Sequence, residues 1–123
     1  MYSILSGVKS LDLSRLLPGA LCSMMLADMG ADVLKIEDTS QGDYMRWMPP
    51  MVNELSAYFL LTNRNKKSMK LDLKTAQGKD ILFKARKAAW CCTRKLSAWC
   101  DGSSWIGLRS VKKGESRHRV LCS

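Results

Sequence analysis

The chain has 123 residues, with 20 Lys and Arg against 11 Asp and Glu for a net charge of +9, enough length for one small domain with a core of its own. No apolar run approaches a membrane span, and the amino terminus MYSILSGVKSLDLS lacks the basic stretch and long apolar segment of a secretion signal, so a cytoplasmic protein without a membrane partner is expected. Such a charge ordinarily points to nucleic acid, but residues 1–87 hold 13 cations and 9 anions whereas residues 88–123 hold 7 and 2, so the excess belongs to the tail and no nucleic-acid partner is expected.

Residues 7–13 (GVKSLDL) read as a first strand, with Val8, Leu11 and Leu13 apolar and Asp12 near the carboxyl end. Residues 14–19 (SRLLPG) are turn chemistry, Pro18 fixing φ and Gly19 permitting a tight bend. Residues 20–29 (ALCSMMLADM) are helix-forming, with Leu21, Met24 and Met25 on one face and Gly30 placed to end the helix. Residues 31–36 (ADVLKI) give a second strand ending at Glu37, so residues 7–37 make a βαβ unit of the usual size. Ligands on such sheets sit beyond the carboxyl ends of the strands, which directs attention to residues 14–20 and 37–43. No G-x-G-x-x-G occurs, so no dinucleotide fingerprint is expected. The eight methionines are expected as core filler.

Residues 38–58 form a long connection rich in Gly, Pro, Asp and Asn, a functional loop or an interface segment, and residues 56–61 (SAYFLL) a short helix. The stretch 62–80 (TNRNKKSMKLDLKTAQGKD) organises the chain: a cationic loop, a half-buried strand with Met69, Leu71 and Leu73 on one side, and a helix capped by Thr75. That helix runs to Lys87 with Ile81, Leu82 and Ala85 as its apolar stripe. The four cations between Arg64 and Lys70 suit a phosphorylated ligand; equally, they suit a solvated edge strand whose lysines block aggregation.

Taken in order, residues 7–37, 42–50 (GDYMRWMPP) and 56–82 closely resemble the amino-terminal part of the family III CoA-transferases, which include carnitine and bile-acid CoA-transferases, formyl-CoA transferase and α-methylacyl-CoA racemase. The most specific segments are LADMGADVLKIE, NRNKKS and LDLKT. The resemblance implies an α/β fold, a Rossmann-like parallel sheet with flanking helices, and a homodimer of longer interlocked chains. It implies coenzyme A or an acyl-CoA as substrate, without a metal, and either transfer of CoA between carboxylic acids or racemisation at the α-carbon; the LLPG turn leans toward racemase-like members. The family's CoA-contacting positions fall on Leu17, Pro18, Leu71, Asp72, Leu73 and Lys74. Asp38 stands where the family often has an Arg suited to a CoA phosphate, Ala20 replaces a usual Pro, and Asn65, Lys66 and Lys67 keep the polar, cationic character of the family loop. The family's catalytic residues lie further along than residue 123, so this chain is expected to be inactive; the alternative is a non-catalytic module that binds CoA or interferes with the dimer.

The resemblance divides the chain into a CoA-binding part, 1–88, and a tail, 89–123, read as irregular. The tail holds three of the four Trp and four of the five Cys (Cys91, Cys92, Cys100 and Cys122), and the family-like strand after the helix is expected to be missing. An odd cysteine count without a secretion signal argues against a disulfide framework. Cys91, Cys92, Cys100, His118 and Cys122 lack the paired spacing of a zinc site, and basic residues with interleaved Trp offer a minor nucleic-acid reading. Translation in an unintended frame explains the composition better. Read from the second base of each codon, residues 94–101 permit a run resembling the family's E-N-F-R-P-G-V-M, with further matches at 102–108, 112–116 and 118–122. The nucleotide sequence is expected to encode family-like protein in that frame past the present stop; a frame without it refutes the reading.

Overall fold

A computed structural model describes residues 3–89, 91–94 and 119–122, the last two segments as backbone. The elements are β1 (Lys9–Asp12), α1 (Leu17–Asp28), β2 (Asp32–Glu37), a 3-10 turn (Tyr44–Trp47), β3 (Met51–Val52), β4 (Leu55–Ser56), α2 (Ala57–Thr62), β5 (Lys66–Lys70), α3 (Ala76–Ala88), β6 (Cys91–Arg94) and β7 (Arg119–Cys122). Five strands form one parallel sheet in the order β5-β2-β1-β6-β7, and β3 and β4 a separate hairpin. The expected α/β fold with a Rossmann-like sheet is observed. The sheet also contains the strand expected to be missing after α3. β6 pairs in parallel with β1, Ser10 opposite Cys91 and Asp12 opposite Thr93. The physical reason is that β1 presents a second edge of N–H and C=O groups, and an extended segment satisfies them through its backbone whatever its side chains.

Alternation along the strands gives the sheet two unlike faces. On the face covered by α3, Leu11, Ile36 and Leu71 form a core with Leu82 of α3 and Ala89, and Leu13, Leu34, Met69, Leu73 and Ala85 are packed around them. Toward α1 lie Ser10, Asp12, Val33, Lys35 and Glu37, all under a tenth exposed, with an apolar cluster of Ala27, Ala31 and Val33 at one end. The helix face expected from Leu21, Met24 and Met25 is corrected accordingly. Gly19, Ala20, Ser23, Met24 and Ala27 are buried, and Leu21 and Met25 are exposed, because small and hydroxyl side chains suit a close approach to a polar sheet face. Of the methionines expected as core filler, Met24 and Met45 are buried, while Met25, Met29, Met48 and Met51 are about half exposed.

Local chemistry sets the joints. Gly30, at φ 97°, closes α1 with Gly30 N donating to Ala27 O and Ala31 N to Leu26 O, the paired bonds of a Schellman ending. Gly19 lies inside α1 rather than at a bend: a Cβ there would come 2.2 Å from the Ser14 Cβ. Thr75 caps α3 as expected, accepting from Gly78 N at 3.0 Å. A Cβ on Gly78 would sit 1.8 Å from the Asp72 carbonyl oxygen. Gly78→Ala therefore must push the 71–75 turn away from α3, and is expected to cost at least about 2 kcal/mol, measured as a lower urea midpoint at unchanged slope.

Candidate functional site

The carboxyl ends of β1, β2 and β5 form a rim built from the turns that follow each strand. After β1, Leu16 adopts φ 67°, an unfavourable conformation for a leucine. The turn is held from below, since Asp12 accepts from Ser14 N at 2.9 Å and from the Ser14 hydroxyl. Pro18, the second residue of α1, carries no N–H, and no side chain caps that helix, so its first turn presents the Leu17 and Gly19 N–H groups without intrahelical acceptors. After β2, Asp38 Oδ1 accepts from Ser40 N and Ser40 Oγ, both at 2.7 Å. After β5, Leu71 N donates to Glu37 O at 2.9 Å and Lys74 N to Asp72 Oδ1 at 2.9 Å. The rim thus gathers Leu17, Pro18, Asp38, Leu71, Asp72, Leu73 and Lys74. Their roles differ: Leu71 is in the core, Asp72 shapes its turn, and Leu17, Pro18 and Lys74 face solvent.

Asn65, Lys66 and Lys67 are not brought to this rim. They stand at the amino end of β5, where Lys66 is opposite Val33 and Lys70 opposite Glu37, a separation of about 13 Å along the strand. Their polar groups are engaged there. Asn65 Nδ2 donates to Asp28 Oδ1 at 2.9 Å, beside a two-point pairing of Arg64 with the same carboxylate. Lys67 pairs with Asp32 at 2.9 Å. Lys66 turns inward: its Nζ donates to Ala20 O and Ser23 Oγ at 2.7 Å and Asn63 Oδ1 at 3.0 Å, and lies 3.3 Å from Asp12 Oδ2. The cationic loop fastens α1 to the sheet at β5, the edge strand, with Lys66 buried and Lys67 exposed.

Below the rim lies a buried ionic network. Lys35 Nζ is 2.7 Å from Asp43 Oδ2 and 3.9 Å from Asp12 Oδ2, with side chains at 1%, 1% and 0% exposure. It also donates to Ser14 O at 3.2 Å, so one ammonium ties the turn after β1 to the loop after β2. Ser23 donates to Asp12 as well. Burial acts to raise the Asp12 pKa, but Lys35, the Ser14 and Ser23 hydroxyls and Lys66 outweigh it and hold the carboxyl below its ordinary range. Burial likewise lowers the Lys66 pKa, against the pull of Asp12. Next to this lies Glu37, which accepts from Arg46 Nε and Nη2 at 2.7 Å, from Asp43 N at 3.1 Å and from the Ser68 hydroxyl. Arg46 is stacked over Phe59 at 3.9 Å, fixing the 3-10 turn to α2.

The profile of CoA-transferase family III matches residues 5–89. The chain belongs to CoA-transferase family III. It is 43% identical over 98 residues to succinyl-CoA:glutarate CoA-transferase of Mus musculus, covering 79% of this chain and 20% of that protein. To formyl-CoA:oxalate CoA-transferase of Escherichia coli O6:H1 it is 41% identical over 90 residues, covering 72% of this chain and 22% of that one. Among solved structures, a CAIB/BAIF family protein from Brucella suis superposes with a TM-score of 0.70 at 33% identity over 77% of this chain and 26% of that chain. A hypothetical protein from Mycobacterium tuberculosis does so with a TM-score of 0.78 at 27% identity over 96% and 33%. This family III chain spans about a fifth of the length of the curated relatives it matches.

Two features of the site escaped the sequence reading. Arg15, read only as part of a turn, reaches the rim, its Nη2 3.6 Å from Asp38 Oδ2 and its guanidinium 5.7 Å from the Tyr44 ring centre. The ionic network had a visible signal: Lys35 lies between Leu34 and Ile36 in a strand central to a parallel sheet, where a charge needs a buried partner. Cys100 and His118 lie outside the described residues, as do the side chains of Cys91, Cys92 and Cys122. Among the described residues no group of three or more His, Cys, Asp or Glu could hold a metal, and no helix is long and apolar enough to cross a membrane.

Burial would raise the pKa of Glu37, but hydrogen bonds from Arg46, Ser68 and the Asp43 backbone, with the Arg46 charge, lower it from 4.5 to about 2. A carboxylate lowered in the fold stabilises it fully above its unfolded pKa, and that contribution drains away as pH falls through the folded one. The window here runs from pH 4.5 down to about 2, and the shift corresponds to about 3 kcal/mol. Glu37→Gln is expected to flatten the loss of unfolding free energy across that window, read by urea unfolding at successive pH values. A residual slope from Asp12 remains; an unchanged slope refutes the assignment.

Proposed function

We propose that this chain supplies the CoA-binding rim of an enzyme that moves CoA between carboxylic acids, and that alone it binds CoA or an acyl-CoA without turnover. The observation that carries this reading is the convergence, at one end of a parallel sheet, of the uncapped start of α1 with Arg15 and Lys74. CoA is an extended polyanion with an adenine ring. Backbone N–H groups and two exposed cations suit its phosphates, and exposed Leu16 and Leu17 suit the flat face of the ring. The names of the curated relatives, both CoA-transferases, favour transfer over α-carbon racemisation.

Absence of turnover is argued from the carboxylates near the rim. An acyl-transferring carboxylate must be accessible to the thioester carbonyl. Asp12, Glu37 and Asp43 are buried under their cationic partners, and Asp38 is bonded to Ser40 and faces Arg15. A chain that only binds CoA, as a module without catalysis, rests on the same rim.

Isothermal titration with CoA is expected to give saturable heat that weakens with salt, and Lys74→Ala to weaken binding about tenfold. Mixing the chain with succinyl-CoA and glutarate is expected to yield no glutaryl-CoA. A folded spectrum without heat on CoA addition refutes the rim as a nucleotide site, and measurable transfer refutes the division of labour.

A further inference from the structure

The rim carries an anion of its own. Asp38 lies just beyond β2 with Oδ1 fixed by two bonds from Ser40, which leaves Oδ2 to face Arg15 Nη2 at 3.6 Å. The Lys74 ammonium acts electrostatically on the same carboxylate. Ser40 chiefly, then Arg15 and Lys74, hold the Asp38 pKa below its ordinary value, so the group is charged at neutral pH. At 3.6 Å, with side chains 53% and 35% exposed, the Arg15 pairing is too long for a good hydrogen bond. It belongs to the exposed class of ion pair that contributes little to stability.

We propose that Asp38 is an internal counter-ion: in the free protein its carboxylate stands in for a ligand phosphate on Arg15, and its charge sets how tightly the rim takes an anion. The pairing rests on the geometry above; the identity of the ligand as CoA rests on the function proposed in the preceding subsection. Because Ser40 grips the other oxygen, Asp38 cannot swing away when a phosphate arrives. The incoming group either takes Arg15 from Asp38 or binds beside it against like-charge repulsion, and both weaken binding. Asp38 is thereby a residue that tunes affinity rather than a ligand-contacting cation. Its removal leaves two cations facing the phosphate with no opposing charge, a gain that grows as ionic strength falls.

The test compares wild type, Asp38→Asn, Arg15→Ala and the double variant by isothermal titration at two salt concentrations, with two probes, CoA and inorganic pyrophosphate. Asp38→Asn keeps the shape and an acceptor for Ser40, so the turn is preserved, and a circular dichroism melt confirms the fold. The expected result is that Asp38→Asn tightens both probes about fivefold at low salt and less at high salt. In the Arg15→Ala background that gain is expected to shrink. Wild type that binds either probe, with Asp38→Asn binding it equally or more weakly, overturns the counter-ion and leaves the CoA reading intact if CoA is bound. Tightened pyrophosphate binding with no CoA binding in any variant keeps the counter-ion and removes the CoA reading. Heat from neither probe in any folded variant removes both.

Discussion

The structure depends on charges kept out of water. Lys35 and Lys66 place their ammonium groups between α1 and the sheet, where Asp12, Asp43, the Ser14 carbonyl and the Ser23 hydroxyl meet them. Desolvating such ions is costly, and the cost is recovered only when every remaining donor and acceptor is matched. The directional bonds that are made fix position here, although the buried Ser10 hydroxyl has no hydrogen-bond partner. Lys35 binds the turn after β1 and the loop after β2 through a single nitrogen, and Lys66 binds α1 through the Ala20 carbonyl and the Ser23 hydroxyl. An apolar face would fill the same space yet set the turns less tightly, since packing alone lacks the directionality of hydrogen bonds.

The two faces of the sheet therefore do different work. Toward α3, Leu11, Ile36, Leu71 and Leu82 supply ordinary hydrophobic burial. Toward α1, polar groups hold the turn after β1 and the loop after β2 in register with one another. The strain of Leu16 at φ 67° is tolerated because the residues on either side are tied, Ser14 to Asp12 and Lys35, and Ala20 N to the Leu16 carbonyl. Glu37 extends the same logic outward, to Arg46 and, through its stacking on Phe59, to α2.

Much of this was legible in the residues. The βαβ order, the Thr75 cap, the Gly30 stop and the shared side of Met69, Leu71 and Leu73 follow from period and punctuation, which are local properties. What local pattern could not supply was the direction of long polar side chains. Lys66 and Lys67 are adjacent and chemically alike, yet one points into the protein toward Asp12 and the other to solvent beside Asp32, a difference set by pleat and register. The same applied to α1, where Leu21 and Met25 face outward while Met24 is buried, because the sheet beneath the helix is largely polar. Arg15 reached the rim only through the three-dimensional course of its turn.

The bond between β1 and β6 has a wider consequence. Registered from Ser10 opposite Cys91 to Asp12 opposite Thr93, that seam is made by main-chain groups, which every amino acid except proline carries in full. A seat that asks for an extended backbone and little more is tolerant of the side chains its occupant carries.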